Sequence, residues 1–224
     1  MNSVMSFFPS QQIYPILGKS LPFQTWAKLD LSIENPIMLE RSFHDTAGFE
    51  KIIFEMMEEK NAVVGWGGYL ENRGWYQRAE HFGASDDART IHLGIDLWAT
   101  GLTPLFAPID GVVHSVKDNA LYGDYGPTII LEHEDPNNNS KFYTLYGHLS
   151  KDSIEDKKVG DTVKQGTQFA KIGTPPTNGD WPPHLHFQVI KDMEGMMGDY
   201  PGVSSKSKLQ WYSENCPDPI SLLI

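Results

Sequence analysis

The chain has 224 residues, a formal charge of -11, 40% hydrophobic and 12% aromatic residues, and one cysteine. That length holds one sizeable core together with an extension. The acidic balance argues against a nucleic-acid or anionic-membrane partner. The single Cys216 excludes an internal disulfide and a thiolate-rich metal site.

In chain order, residues 1–20 show no basic start followed by a long apolar stretch; Phe7 and Phe8 run straight into Pro9 and Ser10. No segment approaches the roughly twenty apolar residues that cross a bilayer. The expectation is a cytoplasmic protein with no membrane insertion, or a periplasmic or secreted one if a leader was removed. Residues 1–90 read as an extension with one amphipathic helix. Over residues 46–60, Phe49, Ile52, Ile53, Met56 and Met57 recur at helical spacing, with Asp45 as N-cap. Residues 63–90 are rich in Gly, Trp, Tyr and Arg and read as loop and short strand bordering a groove. Arg73, Tyr76, Arg78 and Arg89 lie here, just ahead of the first candidate ligand. The fork geometry of arginine suits a substrate carboxylate or phosphate, and ordinary ion pairing is the competing reading.

Residues 91–190 read as β. Residues 128–133 and 141–146 are strand-like, joined by turn chemistry at 135–140, and residues 159–166 form short strands broken by glycine corners. The fold class is mainly β: an antiparallel core, sandwich- or barrel-like, with an N-terminal α/irregular extension. Residues 191–224 read as an irregular tail packing on the domain.

Four short stretches carry the chemistry. His184 and His186 share one face of a strand, while Leu185, Phe187 and Val189 face a core. One of the pair can hold a metal while its neighbour moves protons. His92 and Asp96 are four apart, but Gly94 and the β-branched Ile95 oppose a helix, so a strand end bending into a loop is expected. Two imidazoles and one carboxylate suit zinc, and a set that stops at three leaves a position for water. His148 ends a strand and is a candidate to polarise a carbonyl or steady an oxyanion. His44, His81, His114 and His133 have no motif support and read as structural or surface residues.

The order His92-x-x-x-Asp96, then Tyr146-Gly147-His148-Leu149, then His184-Leu185-His186 resembles the zinc endopeptidases of the lysostaphin and LytM type over about residues 90–190. Residues 101–113 look like the glycine-cornered hairpin of that family. The resemblance implies one Zn²⁺ per chain held by His92, Asp96 and His186, with His148 and His184 as catalytic histidines. It implies a small antiparallel β core with a groove across it, and a peptide or peptidoglycan-fragment substrate. Oligomeric state is left open. Two positions depart from the pattern: Gln188 replaces a frequent acidic residue, and Trp181-Pro182-Pro183 replaces smaller residues. A metal-containing module that binds or regulates without turnover is the alternative. A lipoyl- or biotinyl-type carrier is disfavoured, because Lys141 sits only at the edge of the 135–140 turn and the histidines would go unexplained.

Overall fold

The computed structural model describes residues 13–40, 45–83, 87–135 and 137–223. The N-terminal segment with Phe7 and Phe8, and His44, lie outside the described residues; so do the side chains of Arg78 and His81. Among the described residues, twelve strands follow in chain order: β1 (Trp26–Lys28), β2 (Val64–Gly67), β3 (Ile91–His92), β4 (Ile95–Trp98), β5 (Pro104–Phe106), β6 (Gly111–Asn119), β7 (Gly126–Glu134), β8 (Lys141–Gly147), β9 (Thr162–Val163), β10 (Gln168–Lys171), β11 (His184–Ile190) and β12 (Val203–Ser204). The helices are α1 (Pro36–Glu40), α2 (Thr46–Glu59), α3 (Asp152–Glu155) and α4 (Leu209–Asn215).

Eight strands form one sheet in the order β1-β2-β4-β11-β8-β7-β6-β9, antiparallel except for the β1–β2 pair. The sheet is open rather than a closed barrel. A short β5–β10 ribbon lies over it and shares its core. Residues 101–113 therefore do not fold back on themselves as the expected hairpin: β5 pairs with β10, whereas β6 pairs with β7 and β9. Glycine corners mark where the chain turns, but not which distant strand will supply the ladder bonds.

The central strand β11 is buried along its whole length. Leu185, Phe187 and Val189 enter the main core with Leu97, Ile129, Leu131, Tyr146 and Leu105. The period of two then forces His184, His186 and Gln188 onto the opposite face, which is also covered. A strand that carries histidines on one face is held in place by the aliphatic face behind it.

The extension is stitched into the same sheet. Gly65, Trp66 and Gly67 of β2 pair with Trp98, Leu97 and Asp96 of β4. Helix α2 forms where its apolar period predicts. Asp45 caps it, accepting hydrogen bonds from the Ala47 and Gly48 amides, and Phe49, Ile52, Ile53, Met56 and Met57 are buried. Those side chains build a second core with Trp75, Trp98 and Trp181. The tail is more ordered than expected. Its strand β12 pairs with β3, so the tail supplies a backbone ladder that a two-residue strand could not form alone, and α4 follows.

Candidate metal site

Antiparallel register brings the ligand-type side chains together. Asp96 of β4 lies directly opposite His186 of β11, and Trp98 lies opposite His184. Residues so paired share a face with close Cβ atoms. His92 reaches the same point from β3 because the chain kinks at residues 93–94. A side chain at Gly94 would strike the His186 ring and the Phe187 carbonyl, so only glycine lets the kink lie this close. On the other side of β11, His186 is paired with Gly147, and His148 follows with a left-handed φ of 60°. That turn directs its ring towards His184, with ring centroids 4.3 Å apart.

His92 Nε2, His186 Nδ1 and Asp96 Oδ1 form a triangle. The two nitrogens are 2.9 Å apart, and each lies 3.3 Å from the carboxylate oxygen. All three residues are buried. The far nitrogen of each ring reveals its tautomer. His92 Nδ1 donates to the Gly68 carbonyl at 3.0 Å, and His186 Nε2 donates to Gln188 Oε1 at 2.9 Å. Gln188 is oriented in turn by its amide, which donates to the Pro201 carbonyl and meets Cys216 Sγ. Both nitrogens facing the triangle therefore present lone pairs, as does Asp96 Oδ1, which is buried and accepts no hydrogen bond. Three lone pairs packed this closely repel one another unless a cation sits among them. Ligand atoms on a tetrahedral ion with bonds of about 2.0–2.1 Å stand roughly 3.3 Å apart, so the spacing and chemistry fit zinc.

The surroundings hold His92 and Asp96 in the protonation states that a metal needs. Burial, aided by the neighbouring Arg73 charge, pushes His92 down to about 3. Burial pushes His184 down to about 4 and His148 well below the usual histidine range, with His184 and His186 adding to the effect on His148. Burial alone would raise Asp96, but His92 and Arg73 beside it outweigh this and hold it well below the ordinary carboxylate range.

His148 and His184 flank the triangle. His148 Nδ1 donates to the Asn178 carbonyl at 2.9 Å, and His184 Nδ1 donates to the Pro182 carbonyl at 2.7 Å. Each ring therefore keeps an unprotonated Nε2. That of His184 lies 3.9 Å from Asp96 Oδ1. Trp98 stacks on the His184 ring at 4.1 Å, and Phe49 of α2 backs Trp98 at 6.0 Å.

A cleft of about 530 Å³ opens over these residues. Trp75, Tyr76, Phe82 and Arg89 of the extension form one wall, and residues 121–125 and 196–203 form the others. Three of the four candidates in the arginine cluster, Arg73, Tyr76 and Arg89, separate here. Arg89 lines the cleft with its guanidinium 5.2 Å from the Phe82 ring centre, and Tyr76 lines it as a buried wall. Arg73 does not line it. It is fully buried and bound to Glu71, Tyr76 and Asp96, so the expected contact with substrate is corrected to an ion pair beneath the site. Trp98, Tyr125 and the Gly68 carbonyl escaped the sequence reading. Trp98 was within reach of it, since a period of two places it on the same face as Asp96. Tyr125, whose ring centre is 5.1 Å from that of His186, arrives from a loop with no periodic signal.

The chain is similar to known proteins over its β region. The family model for Peptidase family M23 matches residues 90–197. An uncharacterized metalloprotease of Haemophilus influenzae is 36% identical over 97 residues, which is 43% of this chain and 18% of that protein. The peptidoglycan DD-endopeptidase ShyC of Vibrio cholerae is 31% identical over 99 residues, 44% of this chain and 20% of that protein. The match thus spans about a fifth of the length of these relatives. Among solved structures, the catalytic domain of lysostaphin from Staphylococcus simulans superposes with a TM-score of 0.39 at 23% identity, covering 66% of this chain and 88% of that one. With a family match that runs from just ahead of His92 to beyond His186, residues 90–197 are a Peptidase family M23 domain.

Proposed function

We propose that the chain is a zinc-dependent peptidase or amide hydrolase acting on peptidoglycan peptides or a related short peptide. The observation that carries this reading is the buried triangle of three lone pairs with two further neutral histidines beside it. The name of the Vibrio relative supports the substrate class. His92, Asp96 and His186 hold one zinc ion; when bound, it supplies a Lewis acid and a water acidic enough to lose a proton near neutral pH.

The remaining chemistry falls to the protein. In the resting tautomer neither His148 nor His184 carries a proton on Nε2, so each acts first as an acceptor. His184, nearer the triangle, takes the proton from the attacking water. Its Nδ1–H bond to Pro182 and its stack against Trp98 keep the ring from turning as charge develops. The resulting imidazolium can hand that proton to the departing amine nitrogen. Burial of both rings disfavours their charged forms, so the proton is held only briefly. His148 packs against His184, and to steady a developing oxyanion its Nε2 must first take up a proton, for which the neighbouring His184 imidazolium is the source. Arg89 and Tyr76 on the cleft wall position the substrate, with Arg89 meeting a carboxylate or phosphate.

The test is digestion of purified wall fragments, read by mass spectrometry, with and without a chelator. The expected result is amide cleavage that chelation abolishes and zinc restores. His184→Ala should keep zinc and lower the rate at least a hundred-fold, on the order of a general-base contribution, whereas His186→Ala should lose the metal. A zinc-loaded, folded protein inert on wall peptides and small amides would instead support a binding module.

A further inference from the structure

Arg73 lies outside the matched domain, yet it contacts the ligand-type carboxylate more closely than any residue within that domain. Its Nη1 donates to Asp96 Oδ2 at 2.5 Å and to the Tyr76 hydroxyl at 2.9 Å, while Nε donates to Glu71 Oε2 at 2.7 Å. The guanidinium is fully buried. The same segment reaches a second ligand, because the Gly68 carbonyl accepts the Nδ1 proton of His92. Gly68 adopts φ of 106°, and a side chain there would overlap Arg73 Nη2, so the backbone and the arginine are fitted to each other. Backbone hydrogen bonds between Leu70 and His92, His92 and Glu71, and Arg73 and Thr90 lock this segment against β3.

We propose that Arg73 is a positioning residue for the metal site, and that the segment carrying it is an integral part of that site. This rests on reading the His92–Asp96–His186 triangle as a metal centre. By occupying Oδ2, Arg73 leaves Asp96 only Oδ1 to offer, which enforces one-oxygen ligation and prevents the carboxylate from rotating to chelate with both atoms. Glu71 offsets the positive charge that would otherwise repel the ion. Charge alone does not do this work: the fork must span Glu71, Tyr76 and Asp96 at once, which a lysine ammonium on a flexible stem cannot. With Gly68 fixing His92, two of the three donors are set before metal arrives.

The experiment measures zinc affinity by competition with a chromophoric chelator, in wild type, Arg73→Met and Arg73→Lys. The Co²⁺-substituted absorption spectrum and the zinc-induced rise in Tm are read on the same samples. Loss of an outer partner of this kind typically costs about 10- to 100-fold in metal affinity. Arg73→Met should show that loss, a shifted Co²⁺ spectrum and a smaller zinc-induced rise in Tm. Arg73→Lys should show the same changes to a lesser degree, and it carries the test if the methionine variant does not fold. A merely structural arginine would lower the Tm of apo and zinc-bound protein equally. Unchanged affinity and spectrum in a folded variant overturn the proposal, as does zinc-bound wild type with both Asp96 oxygens on the ion. If wild type itself binds no zinc, the metal-centre reading fails instead.

Discussion

Histidine tautomers decide what each side chain of this site can do. Four imidazoles each donate one ring proton to a fixed oxygen: Gly68, Asn178 and Pro182 carbonyls, and Gln188 Oε1. The Gln188 contact makes a prediction. Leucine there keeps the volume but removes the acceptor, so His186 loses its preferred tautomer. Gln188→Leu should weaken zinc binding by about 10- to 100-fold, measured by chelator competition, while Gln188→Glu should retain tight binding. His133 gives a second prediction, away from the metal site. It donates to the Asp110 carbonyl, sits 2.7 Å from Thr144 Oγ1, and burial pushes it down to about 4. The unfolded chain takes up this proton near pH 6.5, whereas the folded chain resists it until about pH 4. The stabilisation from keeping His133 neutral is therefore complete above pH 6.5 and is lost as pH falls from 6.5 to 4, by about 3 kcal/mol in total. Urea unfolding of wild type and His133→Gln should show a stability gap that narrows across this range; a constant gap would contradict the assignment. Spacing put His184 and His186 on one face of a strand and let His92 and Asp96 turn towards each other across Gly94, whereas the choice of His186 over His184 as a ligand came from the family resemblance. The role of Arg73 was not legible, because its ion pair joins residues 23 apart through a backbone lock with no periodic signature.

Among the elements, β11 links the core to chemistry. Phe187 packs on the face opposite His184 and His186 and is fully buried. Phe187→Ala should destabilise the fold by about 3–5 kcal/mol, read from urea midpoints, and should loosen zinc binding as the strand shifts. Helix α2 acts at longer range. Its Asp45 cap is worth about 1 kcal/mol, so Asp45→Ala should lower stability by that amount and leave zinc affinity unchanged. The two elements also show what sequence reveals. Helix α2 was legible because its periodicity and cap are local. Strand β11 was legible because its alternation is strict. Strands β5 and β12 were not, because each is too short to announce itself and exists only through a partner about sixty or more residues away.

Across the whole molecule, the boundary drawn near residue 90 separates a matched domain from an extension, but not a site from its support. Strand β2 pairs with β4, Phe49 backs Trp98, and Arg73 and Gly68 grip Asp96 and His92. One wall of the cleft also comes from the extension. Of the aromatic residues in 63–90, Trp75, Tyr76 and Phe82 share a core with Trp98 and Trp181 beneath α2, while Trp66 and Tyr69 pack on the main core. A groove border was expected from that composition, and Tyr76 and Arg89 do line the cleft, while the inward turn of Arg73 reflects a buried carboxylate that only the fold brings near. If donors from β3, β4 and β11 converge on one ion, anomalous diffraction at the zinc edge, from crystals grown with Zn²⁺, should show one strong peak about 2.0–2.2 Å from His92 Nε2, Asp96 Oδ1 and His186 Nδ1. A map with no peak inside that triangle despite ample zinc, or with the ion held by other residues, would contradict that convergence.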